Sequence, residues 1–334
     1  MRKYLAIFVA FIILASMCAL CACNNNQNTS DGNDDTQDTP NTPKQATMYV
    51  PDGAPALSVA KIINDKAVGN TTVNTVVTTG EEVVAKCGSG EADMAVLPTN
   101  AAVNICTKRS DYLLFSVNVY GVLYIVGTER IESISQMQGQ TLYSIGLGNT
   151  PEYVFKKICD TQGVSHNGGK GITIEYKTDA STIIPQILNG NVKFALIGEP
   201  AVTQLMANAQ KKGVEVFNLF DLQQLWQQAT GSDQKGYPQA SMIVKKSLLT
   251  KAFAKDLMTS LTANSAYITA NCSSLSQLLE KAGSTLTVTY TAELLARCNL
   301  TVISAQDAKA DISKYLSTFG ITNIADSIYY ETKN

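Results

Sequence analysis

The sequence has very little histidine and no surplus of positive charge. Its 334 residues include one histidine, His166, and 26 basic against 28 acidic residues, a net charge of −2. A single histidine, with cysteines that form no clustered motif, does not predict a zinc site, and a chain without excess lysine and arginine does not predict nucleic-acid binding. His166 lies in the polar loop SHNGGKG, away from any predicted strand end. These shortages argue against an enzyme, and neither a cofactor nor a metal is expected.

The first part of the chain lacks acidic residues and has the layout of a secretory signal. Two basic residues, Arg2 and Lys3, precede a long apolar run. The run ends in LCAC, residues 20–23, which resembles the lipobox of bacterial lipoproteins, with leucine at −3 and a small residue at −1 before the lipidated cysteine. Only Cys23 fits this pattern. We expect residues 1–22 to be a lipoprotein signal peptide and Cys23 to carry the lipid; an uncleaved anchor and a plain secretory signal are the alternatives.

The segment after the lipobox has no apolar side chain. Residues 24–45 carry four aspartates and one lysine. Such a segment has nothing to bury, so residues 23–46 are expected to be a disordered, lipid-anchored tether. Without Arg2 and Lys3, 24 basic residues face 28 acidic ones, a net charge of −4, which does not favour binding to anionic lipid. The folded part is therefore expected to lie outside the cytoplasm, lipid-anchored at the cell membrane.

The eight cysteines do not form a disulfide framework. Three lie in the leader, and the other five are scattered, with no two at CxxC distance: Cys87, Cys106, Cys159, Cys272 and Cys298. An odd number of cysteines, mostly on apolar faces of predicted helices, is typical of buried free thiols. A single bridge between Cys272 and Cys298 is the alternative.

One short sequence pattern, which we call the repeated phrase, occurs twice in the chain. GEADMAVLPTNAA, residues 90–102, and GNVKFALIGEPAV, residues 190–202, have glycine and alanine at matching places with apolar residues between them. Around each phrase, short β-branched or apolar runs alternate with segments of helical periodicity. Such alternation predicts parallel sheets covered by helices, because a parallel connection needs an intervening element. The repeated phrase therefore predicts a duplicated α/β lobe.

The chain beyond the tether is too long for one ordinary hydrophobic core. A long β-rich run, residues 112–129, leaves the first lobe, and an apolar run, residues 237–247, returns to it. Two such crossovers side by side form a hinge. We predict an α/β protein with two doubly wound lobes joined by a two-strand hinge: residues 47–123 and 240–334 form lobe 1, and residues 124–239 form lobe 2.

Local patterns predict individual elements. Apolar residues at helical spacing predict a single helix over APALSVAKIIND, residues 54–65. The tail is expected to supply helices that pack on lobe 1, the last of them opened by Ser304 with Asp307 three residues later, as in a capping box. DLQQLW is expected to be a capped helix with Trp226 packed on lobe 2; stacking of Trp226 on a ligand is the alternative.

Ligand contacts are expected where strands turn into helices, because the crevice of an open parallel sheet lies at the carboxyl ends of its strands. Free backbone N–H groups at helix starts can donate to a polar ligand there. Four such turns have proline at or near the first helical position: PDGAP (51–55), LPTNA (97–101), GLGNTP (146–151) and IGEPA (197–201). They supply the candidate ligand-binding residues Asp52, Gly53, Ala54, Thr99, Asn100, Gly148, Asn149, Thr150 and Glu199.

Two aromatic residues at the crossovers complete the predicted site. Tyr120 and Tyr237 lie where rings can sandwich a flat ligand as the cleft closes. Some loop residues have simpler interpretations. The GLG stretch also suits a tight turn, and Asp52 and Glu199 also suit helix caps. Both interpretations of these residues stay open at the level of sequence.

In combination, these features resemble one protein family. They comprise the lipobox, the acidic tether and the motifs YVPDGAPALSVAKII, GEADMAVLPTNAA, SIGLGNTPEYVFKKI, LIGEPAVTQL and DLQQLW with YPQAS. The combination resembles the extracytoplasmic solute-binding proteins of ABC importers. Its branch looks like that of the binding proteins for thiamine-pyrimidine precursors, aliphatic sulfonates and taurine. The resemblance covers about residues 47–318.

The resemblance implies a type II periplasmic-binding-protein fold. In this fold two lobes close on a small-molecule ligand and present it to a membrane permease driven by a separate ATPase subunit. A monomer is expected. Some cytoplasmic enzymes have the same fold, so an enzyme is one alternative. The predicted lipid anchor and the lack of a recognisable nucleophile and base in the sequence disfavour it. A surface lipoprotein that reports its ligand to a sensor is the other alternative.

The four loops depart from the anion pockets expected of sulfonate and nitrate binders. None of them carries lysine or arginine, and two carry acids, Asp52 and Glu199. An unpaired carboxylate beside a buried anion is costly. We therefore expect a neutral, zwitterionic or amine-bearing ligand, for example a flat, pyrimidine-like heterocycle. A sulfonate is the alternative, since backbone N–H groups alone can bind an anion.

Overall fold

The computed structural model describes residues 45–232 and 235–331 of the chain. The predicted signal peptide, the lipidation of Cys23 and nearly all of the tether therefore lie outside the described residues. The last two tether positions, Gln45 and Ala46, instead begin the first strand, because they pair in register with a neighbouring strand and Ala46 is buried. No helix in the described part of the chain is long and apolar enough to cross a membrane.

Strands and helices alternate over most of the described chain. The strands are β1 (Gln45–Pro51), β2 (Ala67–Val68), β3 (Thr71–Thr78), β4 (Met94–Pro98), β5 (Tyr112–Val119), β6 (Leu123–Gly127), β7 (Thr141–Ile145), β8 (Thr173–Lys177), β9 (Phe194–Gly198), β10 (Phe217–Asp221), β11 (Ala240–Lys245) and β12 (Leu300–Ser304). The helices are α1 (Ala54–Leu57), α2 (Ala60–Asp65), α3 (Gly80–Ser89), α4 (Thr99–Lys108), α5 (Thr150–Thr161), α6 (Ala180–Leu188), α7 (Ala201–Lys212), α8 (Leu222–Thr230), α9 (Lys251–Ala270), α10 (Leu275–Lys281), α11 (Ala292–Arg297) and α12 (Lys309–Ser317).

The first sheet has seven strands in the order β12-β5-β11-β4-β1-β3-β2. Its centre is parallel, because β1 pairs in parallel with both β3 and β4. The returning strand β11 lies antiparallel between β4 and β5. Met94 to Leu97 of β4 are fully buried, as expected for a parallel strand covered by helices on both faces. We call the part of the protein built on this sheet lobe 1.

The second sheet repeats the arrangement with five strands in the order β10-β6-β9-β7-β8. Here β7 pairs in parallel with β8 and β9, and β6 pairs antiparallel with β9. We call the part built on this sheet lobe 2. The repeated phrase of the sequence falls on β4 with α4 in lobe 1 and on β9 with α7 in lobe 2. It therefore marks the same strand–helix unit in two lobes of similar architecture. The predicted α/β duplication is confirmed.

The chain crosses between the two sheets after β5 and again before β11. The crossovers lie side by side, because Gln239 donates its N–H to the carbonyl of Val119 at 2.9 Å and accepts the N–H of Val122 on Oε1 at 2.8 Å. Each crossover turns at a glycine of positive φ, 82° at Gly121 and 100° at Gly236. The predicted two-strand connection is thus present. The lobe boundaries at single-residue level, 123/124 and 239/240, stay predictions.

The prediction of a single helix over residues 54–65 is wrong. The segment forms two short helices, α1 and α2, which are separated at Ser58 and Val59. The hydroxyl of Ser58 donates to the carbonyl of Pro55 at 2.7 Å and closes the first of them. Periodicity did not show the break, because the break is completed by a side chain from far along the chain, Asn264 of α9.

The tail packs on lobe 1 as predicted, with α9 lying against α2. Three short strands were not anticipated: β2, β10 and β12, the last of which pairs antiparallel with β5. The final helix begins at Lys309, later than predicted. Ser304 and Asp307 do bond, the N–H of Asp307 donating to Ser304 Oγ at 3.1 Å, but they form a turn ahead of the helix.

Aromatic residues join the two lobes beside the crossovers. Trp226 of α8 packs edge-on against Tyr237 and Tyr315, with ring centroids 5.4 and 5.5 Å apart, and those two tyrosines stack on each other at 5.6 Å. Asp221 caps α8 as predicted, since its side chain accepts two backbone N–H groups. Because Tyr315 belongs to α12 of the tail, Trp226 packs on both lobes and not on lobe 2 alone.

The five cysteines of the described chain are free thiols, and all but Cys272 are buried. The alternative bridge between Cys272 and Cys298 therefore does not form. The four buried sulfur atoms belong to the hydrophobic core. The interpretation as buried free thiols is confirmed for these four, and Cys272 is a free, half-buried thiol.

Candidate functional site

A cleft of about 310 Å³ lies between the lobes at the carboxyl ends of their parallel strands. Its volume is at the lower end of the range for small-molecule pockets, roughly 300–1,000 Å³. Lobe 1 lines it with residues 51–55, 77–81, Pro98, Gly283, Thr285 and Leu286. Lobe 2 lines it with residues 145–147, 149–151, 178–181, Gly198, Glu199 and Ala201, and the crossovers add Val122, Leu123, Gln239 and Ala240.

Five helix starts converge on this cleft. Helices α1 and α3 approach from lobe 1, and α5, α6 and α7 approach from lobe 2. The first turn of a helix has N–H groups without intrahelical partners and carries the positive end of the helix dipole. Among the residues that the structure describes, no lysine, arginine or histidine lines the cleft. The groups with partial positive charge that line the cleft are therefore backbone N–H groups.

Asp52 lies at the mouth of the cleft, and its carboxylate already has partners. Oδ1 accepts the hydroxyl of Ser284 at 2.6 Å, and Oδ2 accepts the N–H of Thr285 at 2.8 Å. Both partners belong to the loop after α10, so Asp52 ties this loop to the start of α1. Gly53 and Ala54 line the cleft next to it, and their contact with a ligand stays a prediction.

Glu199 lines the cleft from lobe 2, and it is also paired. Its Oε1 accepts a hydrogen bond from Arg297 Nε at 2.9 Å, and its Oε2 accepts the N–H of Thr203 at 3.0 Å. Burial alone would lower the pKa of Arg297, but the hydrogen bond and the charge of Glu199, with those of Glu293, raise this pKa above its ordinary value. The premise of unpaired carboxylates, on which the expectation against an anion rested, is wrong for Asp52 and Glu199.

Gln239 forms the floor of the cleft where the lobes meet. Its carbonyl accepts the N–H of Thr99 at 3.0 Å and the hydroxyl of Thr150 at 3.3 Å. Thr150 lines the cleft, whereas Thr99 is fully buried and bonds to the hydroxyl of Ser241 at 2.8 Å. Thr99 therefore supports the floor from behind and does not reach the cleft.

The rim of the cleft is closed by a contact between the lobes. Asn100 donates from Nδ2 to the carbonyl of Gly148 at 3.0 Å. Neither residue lines the cleft, although Asn149 next to them does. Gly146 and Gly148 have φ of 77° and 69°, and the N–H of Gly148 donates to Glu152 Oε2 at 2.5 Å. The GLG stretch is thus a tight turn at the rim, held by the helix that follows it.

The structure does not bring Tyr120 and Tyr237 into the cleft. Both line a separate crevice of about 130 Å³ at the hinge, with Trp226 and Asp311. Tyr237 is 1% exposed and donates to Gln223 Oε1 at 3.1 Å, and the hydroxyl of Tyr120 lies 3.4 Å from Asp311. The ring of Tyr237 is packed between Trp226 and Tyr315, and Tyr120 is half-buried at the hinge crevice and is not among the residues that line the cleft.

The lining includes Val122, Leu123, Gln239 and Ala240 of the crossovers, where Tyr120 and Tyr237 were predicted, and three further segments that were not predicted from the sequence. Two are the turns at residues 77–81 and 178–181, which add the acids Glu81 and Asp179 and several hydroxyl groups. Asp179 caps α6, because it accepts the N–H of Thr182 at 3.0 Å. Both turns follow the carboxyl-end rule and would have been found by applying it to every strand, but they lack the proline by which turns were chosen. The third segment, 283–286, comes from the tail and carries no local signal.

In the described part of the chain, possible metal ligands are dispersed and the histidine lies away from the cleft. Within residues 45–232 and 235–331, no group of three or more histidine, cysteine, aspartate or glutamate side chains is placed to hold a metal ion. His166 lies in lobe 2 after α5, where its Nε2 is 2.8 Å from Asp160 Oδ1. It is not among the residues that line the cleft.

Comparison with protein-family models and with curated proteins finds no match. Solved structures do match. An ABC transporter protein from Parabacteroides distasonis is 20% identical, over 87% of this chain and 100% of that one, with a TM-score of 0.70. The alkanesulfonate-binding protein SsuA from Xanthomonas axonopodis pv. citri, bound to MOPS, is 13% identical over 86% and 96%, with a TM-score of 0.62. PhnD1 from Prochlorococcus marinus, in complex with methylphosphonate, is 10% identical over 83% and 100%, with a TM-score of 0.54.

At these identities the likeness shows the fold. The chain has the type II periplasmic-binding-protein fold, with two α/β lobes around a cleft, as the sequence predicted. The first of these proteins is an ABC transporter protein, and the other two are in complex with a sulfonate or a phosphonate.

Proposed function

We propose that this protein is the substrate-binding component of an ABC importer. It captures a small organic solute between its lobes and delivers it to a membrane permease that a separate ATPase subunit drives. It acts as a monomer outside the cytoplasm and is held at the cell membrane by a lipid on Cys23. The observation that carries the proposal is the convergence of five helix starts, from both lobes, on one cleft.

This geometry supports binding coupled to closure. Donors for the solute come from α1 and α3 on one side and from α5, α6 and α7 on the other. Neither lobe alone supplies the full set, so a solute that uses donors from both lobes binds the closed state better than the open state. The lining contains no histidine or cysteine among the described residues, which supports a binding role over a catalytic one.

The charges of the cleft support a solute with two kinds of polar group. Helix starts favour an acceptor such as a carboxylate or a ring carbonyl. Asp52, Asp179 and Glu199 have partners, whereas Glu81 at the start of α3 is exposed and has no hydrogen-bond or ion-pair partner within the described chain. We infer a zwitterion or an amine-bearing heterocycle whose amine faces Glu81.

The test is a thermal-shift screen of the full chain against amino acids, pyrimidines, thiamine precursors, sulfonates and small aromatic acids. A solute at about 100 times its Kd adds about 2.7 kcal/mol to the free energy of unfolding. We expect stabilisation by zwitterions or amine-bearing heterocycles, and we expect Glu81→Gln to weaken it. Glu82→Gln is the matched control, because Glu82 bonds to Thr78 and does not line the cleft. A panel in which nothing stabilises the protein would contradict the proposed function.

A sulfonate is the second candidate, and the hydroxyl groups of the lining favour it. They come from Thr78, Thr79, Thr150, Thr178, Ser181 and Thr285. Four of these hydroxyls donate to other groups of the protein, those of Thr78, Thr150, Ser181 and Thr285. Within the described chain, the hydroxyls of Thr79 and Thr178 remain as donors to a solute. Neutral hydroxyl and N–H donors can hold an anion where no cation is present, and the charge of Glu199 is offset by Arg297. Stabilisation by sulfonates alone, undiminished in Glu81→Gln, would replace the inferred solute class and keep the importer function.

A further inference from the structure

An ion pair joins the two lobes beside the cleft. Glu199 lies in lobe 2 between β9 and α7, and Arg297 is the last residue of α11 in the tail that covers lobe 1. The guanidinium donates from Nε to Glu199 Oε1 at 2.9 Å and from Nη2 to Thr203 Oγ1 at 2.9 Å. Two residues of lobe 2 therefore hold one side chain of lobe 1.

The two partners are buried unequally. The side chain of Glu199 is 1% exposed, whereas that of Arg297 is 35% exposed. Thr203 supplies two hydrogen bonds to this carboxylate from within lobe 2. Its N–H and its hydroxyl both donate to Oε2, at 3.0 and 2.9 Å. A carboxylate removed from water is costly unless a cation accompanies it. Glu199 has its cation only while the lobes are in contact.

The pair also adjoins the candidate binding site. Glu199 belongs to the cleft wall, whereas Arg297 is not among the lining residues. This contact between the lobes thus offsets the charge of Glu199 from behind the cleft wall. The remaining partner of Arg297 is Glu293, 2.6 Å from Nη1, which lies one turn earlier on the same helix. That second contact stays within lobe 1.

We propose that Arg297 is a positioning residue that latches the lobes in the closed state by holding Glu199 and Thr203. The proposal rests on the proposed function, because it gives closure around a solute a defined contact. When the lobes separate, the carboxylate and the guanidinium are hydrated separately. Without Arg297, the closed state would contain a buried carboxylate with no cation, and the equilibrium would shift towards the open state.

The test measures closure without any solute. In a Cys272→Ser background, Gln204→Cys in lobe 2 and Thr287→Cys in lobe 1 introduce a pair of thiols where the native side chains approach to 3.5 Å across the boundary. A short bifunctional thiol reagent joins this pair only in closed molecules, so the rate of cross-linking reports the closed population even when it is small. We expect Arg297→Met to lower this rate about tenfold, within the usual range of coupling free energies.

Two further variants keep the result interpretable. Glu293→Gln is the matched control, because it removes the partner of Arg297 that does not cross between lobes, and its cross-linking rate should stay within about twofold of the wild-type rate. Arg297→Lys keeps the charge and should restore part of the rate. Single-cysteine proteins give the background, and thermal midpoints show that each variant is folded.

The outcomes separate the two proposals. An Arg297→Met protein that cross-links as fast as wild type overturns the latch, and so does an equal loss in Glu293→Gln, which would place the effect in α11 itself. Because no solute is present, an unchanged rate counts against the latch alone. If no solute in the thermal-shift screen stabilises the protein, that result counts against the proposed function alone.

Discussion

The side-chain amide of Asn264 donates from Nδ2 to the carbonyl oxygen of Leu57 at 3.1 Å, 207 residues earlier in the chain. Its Oδ1 accepts the N–H of Lys61 at 2.9 Å. These are backbone groups left free where α1 ends and α2 begins. One buried asparagine of α9 therefore replaces the backbone hydrogen bonds that a continuous helix would have made.

Replacing this asparagine should be costly. In Asn264→Ala, the N–H of Lys61 and the carbonyl of Leu57 lose their side-chain partner, and a buried polar group without a partner costs about 1–3 kcal/mol. We expect the free energy of unfolding, measured by urea denaturation, to fall by about 2–4 kcal/mol. Ser265→Ala, at the next and exposed position of the same helix, should change it by less than about 0.5 kcal/mol. Similar values for the two variants would show that Asn264 does not carry the break.

The architecture was predictable because it is written in local, repeated patterns. The strand and helix periods of residues 90–102 recur at 190–202, and a parallel sheet needs the helices between its strands. What the sequence did not show depends on distant partners. Asn264 breaks a helix that periodicity makes continuous, and β12 exists because it pairs with the edge of β5.

The position of the candidate site could be predicted from the sequence, whereas the pairing of its charged side chains could not. Loops at strand ends follow from topology, and Asp52, Gly53, Ala54, Asn149, Thr150 and Glu199 line the cleft. The partner of Glu199 lies 98 residues away in the tail, so no local pattern shows that its charge is offset. Tyr120 and Tyr237 were assigned to a ligand because of their place in the crossovers, but both line the hinge crevice. There Tyr237 stacks on Tyr315 of α12, and the hydroxyl of Tyr120 lies near Asp311 of the same helix.

The hinge should tolerate a side chain poorly at Gly236. This glycine has φ of +100°, and a Cβ there would lie 2.6 Å from the carbonyl oxygen of Tyr120. Gly190 is the matched control, since it has φ of +74° and nothing within 4 Å of a Cβ. We expect Gly190→Ala to cost about 1 kcal/mol from backbone strain and Gly236→Ala to cost at least about twice that in chemical denaturation. Equal losses would mean that the crossover moves aside at no cost.

The buried thiols should be unreactive in the folded protein. Burial raises the pKa of Cys87, Cys106 and Cys159 to about 12, and it raises that of Cys298 as well. Since the thiolate is the reactive form, these four should react with Ellman's reagent at about pH 8 only after unfolding. The half-buried Cys272 should react in the folded state.

A paired measurement isolates that one thiol. Cys272→Ser should lower the number of thiols that react in the folded protein by one, and the difference cancels any contribution from cysteines before residue 45. The number of additional thiols that become reactive when the protein is denatured should stay unchanged. Rapid reaction of a second thiol from the described chain would contradict the burial of the other four.

The turn at the rim of the cleft should weaken in acid through Glu152. Burial alone would raise the pKa of Glu152, but hydrogen bonds from Lys156 and from the N–H of Gly148 hold this pKa below its ordinary value. A carboxyl group whose folded-state pKa is lowered contributes stability that is present above its unfolded pKa, about 4.3, and is lost as pH falls through the folded value. Glu152→Gln lacks this contribution at every pH.

The thermal midpoint of Glu152→Gln should therefore lie below that of wild type at neutral pH, and the gap should close as the pH falls below about 4. Glu175→Gln makes the same change of charge at an exposed position of β8 in the same lobe and separates the local effect from that of net charge. If the gap between Glu152→Gln and wild type stays constant down to about pH 3, the stabilisation at the rim comes from the shape of the side chain, because protonation of the carboxylate would have removed any contribution from its charge.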